Sequence, residues 1–139
     1  MTVLVDSNVI LDILTNDPNW FDWSALQLTT YARQDQLAIN PIIYADIAVG
    51  FPREQELITA LPLDLFQRLP LPWDAAFKSG QSFLNYRRRG GSRTSPLPDF
   101  YIGAHASIAN LPLITRVIFD KGATAEIKQP FQTDKSLDI

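Results

Sequence analysis

Three short runs, Val3-Leu4-Val5, Leu37-Ala38-Ile39 and Leu113-Ile114-Thr115, constrain this chain more than any other feature. Each is apolar with almost no alternation. A strand with one wet face alternates; a strand covered on both faces does not. The segments between the runs are patterned for helices. Val9, Ile10, Ile13 and Leu14 recur at helical spacing after Ser7, a suitable N-cap. Asn16-Asp17-Pro18-Asn19 stops that helix, and a second is predicted over residues 20–34. Asn40-Pro41 joins a capping side chain to a proline at the first helical position, so a third helix runs from there to about Gly50. A fourth is predicted over 53–61, with Leu65-Phe66 a brief extended piece. Trp73, Ala76, Phe77, Gly80 and Leu84 trace one face of a long helix. It ends in Arg87-Arg88-Arg89-Gly90-Gly91, cations followed by glycine. After the rigid Ser95-Pro96-Leu97-Pro98 loop, Asp99 opens a last helix to about Asn110. Strands alternating with helices imply a parallel α/β sheet with helices on both faces. A chain of 139 residues makes this one domain, spanning 1–139.

Composition narrows the chemistry. Cysteine is absent and His105 is the only histidine, which excludes a disulfide framework, a thiolate zinc site and a His-rich metal site. The net charge of −3 excludes a generally basic nucleic-acid coat but leaves room for a local basic patch. No apolar run approaches the roughly 18 residues of a membrane span, and there is no positive leader. No membrane association and a cytoplasmic, reducing location are therefore expected.

Three acids stand out. Asp6 lies at the carboxyl end of the first strand, Asp46 inside the helix after the second, and Asp99 in the first turn of the last helix. Ligands of open α/β sheets bind outside the carboxyl ends of the strands. Carboxylates converging there repel one another, and burial raises their pKa values; a divalent cation relieves both penalties. An all-oxygen set suits Mg²⁺ or Mn²⁺, and such a site activates water for phosphodiester hydrolysis. The plain alternatives are a strand-end role for Asp6 and dipole compensation for Asp99. Asp46 is harder to dismiss, because its neighbours Ile43, Tyr44, Ala45, Ile47, Ala48 and Val49 leave it needing an exposed face or a partner.

The segment from Val3 through Asp6-Ser7-Asn8 to Asp12 resembles the opening strand and helix of PIN-domain ribonucleases. Asn40-Pro41-Ile42-Ile43-Tyr44-Ala45-Asp46 is similar to the segment carrying their second acid, and Leu97-Pro98-Asp99-Phe100-Tyr101-Ile102-Gly103-Ala104-His105-Ala106 to the third-acid segment of the VapC-type toxins. The resemblance covers residues 1–116 in order. It implies a PIN-like three-layer α/β/α sandwich with a central parallel sheet, and Mg²⁺- or Mn²⁺-dependent endoribonuclease activity in a VapBC-type toxin–antitoxin system. A VapB-like antitoxin, an RNA substrate and a homodimer are implied as partners. Carried over by position, Asp6, Asp46 and Asp99 are the catalytic, metal-binding acids, with Asn8 and Thr115 as polar support behind them.

One departure matters. The family commonly carries a fourth acid two residues after a Thr or Ser in the place of Thr115; here that residue is Val117, and 116–139 makes an atypical C-terminal segment. A shifted reading frame and ordinary divergence both account for it. Either way one carboxylate fewer predicts weaker metal binding and impaired activity. The alternative function is a catalytically weak PIN scaffold that binds antitoxin, a sister subunit or RNA. A phosphatase-like α/β hydrolase is a third class, without a nucleophile motif to support it.

Two further features divide between function and structure. Arg87, Arg88, Arg89 and Arg93 form a cluster close in sequence to Asp99, read either as phosphate contacts or as a solvated helix end. His105, six positions from Asp99, reads as a structural histidine rather than a base. Trp20, Phe21 and Trp23 read as core cover or as a partner surface.

Overall fold

The computed structural model describes residues 1–61, 64–88, 90 and 97–116. In chain order the elements are β1 (Thr2–Val5), α1 (Ser7–Leu14), α2 (Phe21–Ala32), β2 (Gln36–Ile39), α3 (Pro41–Ala48), α4 (Glu54–Ala60), β3 (Phe66–Arg68), α5 (Trp73–Arg88), α6 (Leu97–Ile108) and β4 (Leu113–Ile114). Helical crossovers separate every strand from the next, so the sheet is parallel, in the order β3-β2-β1-β4. Leu4 pairs with Ala38 on one side and Leu113 on the other. The three apolar runs thus become the two central strands and β4 beside them, and Val3, Leu4, Val5, Ala38 and Ile114 are fully buried. Flanking helices make this the expected α/β sandwich.

Local chemistry sets the helix ends. Asn40 Oδ1 accepts the Ile43 N–H at 2.9 Å, as an N-cap should. Asn16 and Asn110 take φ of 51° and 55° just past α1 and α6, and Gly90 takes 77° past α5. These left-handed residues end helices at low steric cost. The cap of α1 differs from expectation. Asp6 is the N-cap residue and Ser7 the first helical residue, with no side-chain cap bond. The Ser7 hydroxyl is used elsewhere, as described below.

The expected apolar face of α5 is not its buried face. Trp73 is 89% exposed and Phe77 64%, while Ala75 and Ser79 are buried. Small residues let α5 lie close to its neighbours, and its tie to α6 comes later in the helix. Phe83 and Tyr86 meet the Phe100 ring at 5.6 and 5.5 Å. At the other end of the chain Trp23 is buried and Trp20 meets it edge-on at 5.6 Å, so these rings serve the core.

Candidate functional site

The strand order reverses direction between β1 and β4, and the carboxyl ends of these two strands carry Asp6 and Thr115. Such a switch point leaves a crevice where no crossover covers the strand ends. The Asp6 N–H is held by the Ile114 carbonyl at 2.9 Å, which fixes where its side chain starts. Its carboxylate accepts the Thr115 hydroxyl at 2.8 Å and the Ser7 hydroxyl at 3.3 Å. Asp6 is buried, and burial is the main cause that pushes its pKa up to about 6. The Thr115 bond opposes that rise, and the negative charge of Asp99 adds to it.

Asp46 joins the group through a shared hydroxyl. Ser7 lies 3.0 Å from Asp46 Oδ2 as well as 3.3 Å from Asp6, bridging the first and second acids. A serine hydroxyl has one proton, so it donates to one carboxylate at a time. Asp46 is half-buried on α3, beside the buried Ile43 and Ile47, which answers the need for a partner read from its apolar neighbours. Asp99 is in the first turn of α6 and near enough for its charge to be felt at Asp6. The three acids therefore gather at one end of the sheet. They remain loosely gathered: among the described residues no three acids or histidines are grouped tightly enough to enclose an ion.

The donor set can be weighed against a divalent ion. Carboxylates and hydroxyls are hard oxygen ligands, and a hard cation would offset the negative charge that Asp99 adds at Asp6. Asn8, two residues beyond Asp6, holds the one buried side-chain atom among the described residues with no hydrogen-bond partner, its Oδ1. A buried amide oxygen left unpaired is costly, and it is itself a hard oxygen donor. These residues fit such an ion chemically.

Two polar connections were not read from the sequence or were read incompletely. Asp12, fully buried on α1, accepts Ser24 Oγ at 2.7 Å and a two-pronged Arg116 guanidinium at 2.9 and 3.2 Å. The same guanidinium lies 5.2 Å from the centre of the Trp20 ring. The signal was present, since Asp12 stands among Val9, Ile10, Leu11, Ile13 and Leu14 much as Asp46 stands among its own apolar neighbours. His105 is buried, and its Nδ1 lies 2.9 Å from Asn40 Nδ2. The amide is a donor there, so Nδ1 accepts, and burial lowers the pKa of the ring. His105 thus joins α6 to the turn between β2 and α3, a structural role as anticipated.

Arg87 and Arg88 are exposed in the last turn of α5. Arg89, Arg93, Val117 and most of the atypical segment 116–139 lie outside the described residues.

A family model described as PIN domain matches residues 3–121. By sequence, no curated protein matches the chain. Solved structures do. A VapBC2 structure from Rickettsia felis, bound to a DNA fragment from its promoter, aligns with a TM-score of 0.71 at 17% identity, covering 92% of this chain and 96% of that one. A toxin–antitoxin complex from Klebsiella pneumoniae aligns at 0.67 and 25% identity, covering 94% and 99%. VapBC-1 from nontypeable Haemophilus influenzae aligns at 0.68 and 21% identity, covering 92% and 96%.

Proposed function

This chain belongs to the PIN-domain family, and from that premise we propose that it is a metal-dependent endoribonuclease, the toxin of a VapBC-type toxin–antitoxin system. The observation that carries the reading is the Ser7 hydroxyl lying within reach of both Asp6 and Asp46, with Asp99 electrostatically close. Asp6, Asp46 and Asp99 are the residues assigned to hold Mg²⁺ or Mn²⁺. When bound, such an ion supplies Lewis-acid stabilisation of charge on a phosphodiester. Asp6 is fixed from behind by Thr115 and from the side by Ser7, so its carboxylate has little freedom to turn away. Without an ion its pKa is about 6, so a cation and a proton compete for the same carboxylate. Arg87 and Arg88, with Arg89 and Arg93, are assigned to phosphate contacts. Asn8 supports the acid cluster.

The structural relatives are toxin–antitoxin complexes, and the same kind of partner, a small antitoxin, is proposed here together with a homodimer. No helix among the described residues is long and apolar enough to cross a membrane; the cytoplasm is the proposed site of action.

Cleavage of structured RNA with Mn²⁺ or Mg²⁺ tests the reading. Metal-dependent cutting that disappears in Asp99→Asn supports it. The second reading, a catalytically weak scaffold, is favoured by Val117 standing where the family carries a fourth acid. Tight RNA or antitoxin binding with no cutting by the unaltered protein decides for the scaffold.

A further inference from the structure

Beside the carboxylate cluster lies a recess of about 240 Å³ that the proposed chemistry does not use. Ile39, Pro41, Ala45, Leu69, Tyr44 and Arg68 line it, together with Asn40. The β1–β2 register pairs Leu4 with Ala38, so its continuation sets Asp6 opposite Asn40, one strand spacing or about 5 Å away. Recess and acids therefore share the carboxyl end of the sheet, and α3 lends Asp46 to one and Tyr44 with Ala45 to the other.

We infer that this recess receives one unstacked base of a single-stranded RNA, against a wall made by Tyr44 and Arg68. The inference rests on the ribonuclease reading and adds a substrate subsite to it. The Arg68 guanidinium lies 5.0 Å from the centre of the Tyr44 ring, a planar cation against a planar ring, at the exposed end of β3. Proteins hold splayed-out bases by stacking them on such surfaces, aromatic or guanidinium. The cation also complements the phosphate that travels with the base. Most of the remaining lining is aliphatic, suited to the faces of a ring. The volume falls below the roughly 300–1,000 Å³ of pockets for drug-sized ligands, which matches a single ring system. Asn40 is buried and bonded to Ile43 and His105, which keeps it from reading base edges. Recognition by stacking without edge contacts makes the subsite tolerant of base identity.

The test uses the full-length protein and a 5′-labelled single-stranded RNA hexamer, with EDTA present to prevent cleavage. Anisotropy gives the Kd for the unaltered protein and for Tyr44→Ala, Tyr44→Phe and Arg68→Gln, each first shown to be folded by circular dichroism. Loss of one base-stacking surface weakens binding roughly tenfold. Tyr44→Ala and Arg68→Gln are expected to show that loss, and Tyr44→Phe, which keeps the ring, to stay within about twofold of the unaltered protein. Ultraviolet crosslinking of a 4-thiouridine hexamer to the unaltered protein should label the peptide containing Tyr44. A hexamer that binds the unaltered protein and Tyr44→Ala equally, without labelling that peptide, overturns the base subsite and leaves the ribonuclease reading standing. If the unaltered protein neither binds nor cuts RNA, both fall. Labelling of other peptides alone also overturns the inference.

Discussion

Thr115 and Asp6 stand 109 positions apart in the chain, yet the threonine hydroxyl donates to the aspartate at 2.8 Å. That bond favours the ionised carboxylate against burial and against the charge of Asp99. Thr115→Val keeps the side-chain shape and removes the donor. Asp6 is then expected to titrate above its present value of about 6, as followed by carboxyl-carbon NMR. A titration unchanged or shifted downward contradicts the assignment.

Asp6 also couples folding to pH. Its pKa rises from 3.8 to about 6 on folding, so the folded state binds the proton more tightly than the unfolded chain. The resulting stabilisation is full below about pH 3.8 and is lost as pH rises through about 6. The difference amounts to about 3 kcal/mol. Asp6→Asn, which mimics the protonated acid, should therefore melt higher than the unaltered protein at pH 8 without divalent ions. Its advantage should shrink towards pH 4. Equal advantage at both pH values excludes this origin.

Arg116 neutralises the buried Asp12 while retaining some exposure itself. Removing it strands a buried charge, which costs about 3 kcal/mol or more. Arg116→Ala should lower the urea midpoint accordingly. The double variant Asp12→Asn with Arg116→Gln should lose less than the two single losses added together, the mark of coupling in a double-mutant cycle.

Asn40 both caps α3 and satisfies His105. Asn40→Ala loses about 1 kcal/mol of capping and about 1–3 kcal/mol for an unpaired buried ring nitrogen. The ring itself favours folding while neutral. That contribution is present above its unfolded value of 6.5 and is lost as pH falls below it, opposite in sign to the Asp6 effect. In an Asp6→Asn background, thermal melts should show the acid loss without interference, and His105→Phe should abolish it.

Trp73 is large but 89% exposed. Trp73→Ser should move the unfolding midpoint by no more than about 0.5 kcal/mol. A loss of several kcal/mol in the isolated monomer contradicts the outward placement of this helix face.

The sheet was legible because three runs had no polar alternation to offer, and burial on both faces is what permits that. Asn40-Pro41 was legible because a cap and a proline act within a few residues. The surroundings of Asp6 were legible only as far as the strand end went. What fixes the carboxylate, Thr115 and the Ser7 link to Asp46, comes from contacts across 109 and 39 residues. Asp12 stayed opaque for the same reason, its partner Arg116 lying 104 residues away. On α5 the reading inverted. Periodicity finds an apolar stripe but does not say which stripe faces the neighbours, and small Ala75 and Ser79 won the close approach.

The last described strand has only two residues, and it supplies both the carbonyl that holds the Asp6 N–H and the threonine just beyond it. During synthesis, β1 can pair with β2 once about forty residues have emerged, whereas its other edge must wait for residues 113–115. At roughly 5–20 residues per second that wait lasts several seconds. A chain that has made β1 and β2 therefore holds an unfinished carboxylate pocket until residues 113–115 follow.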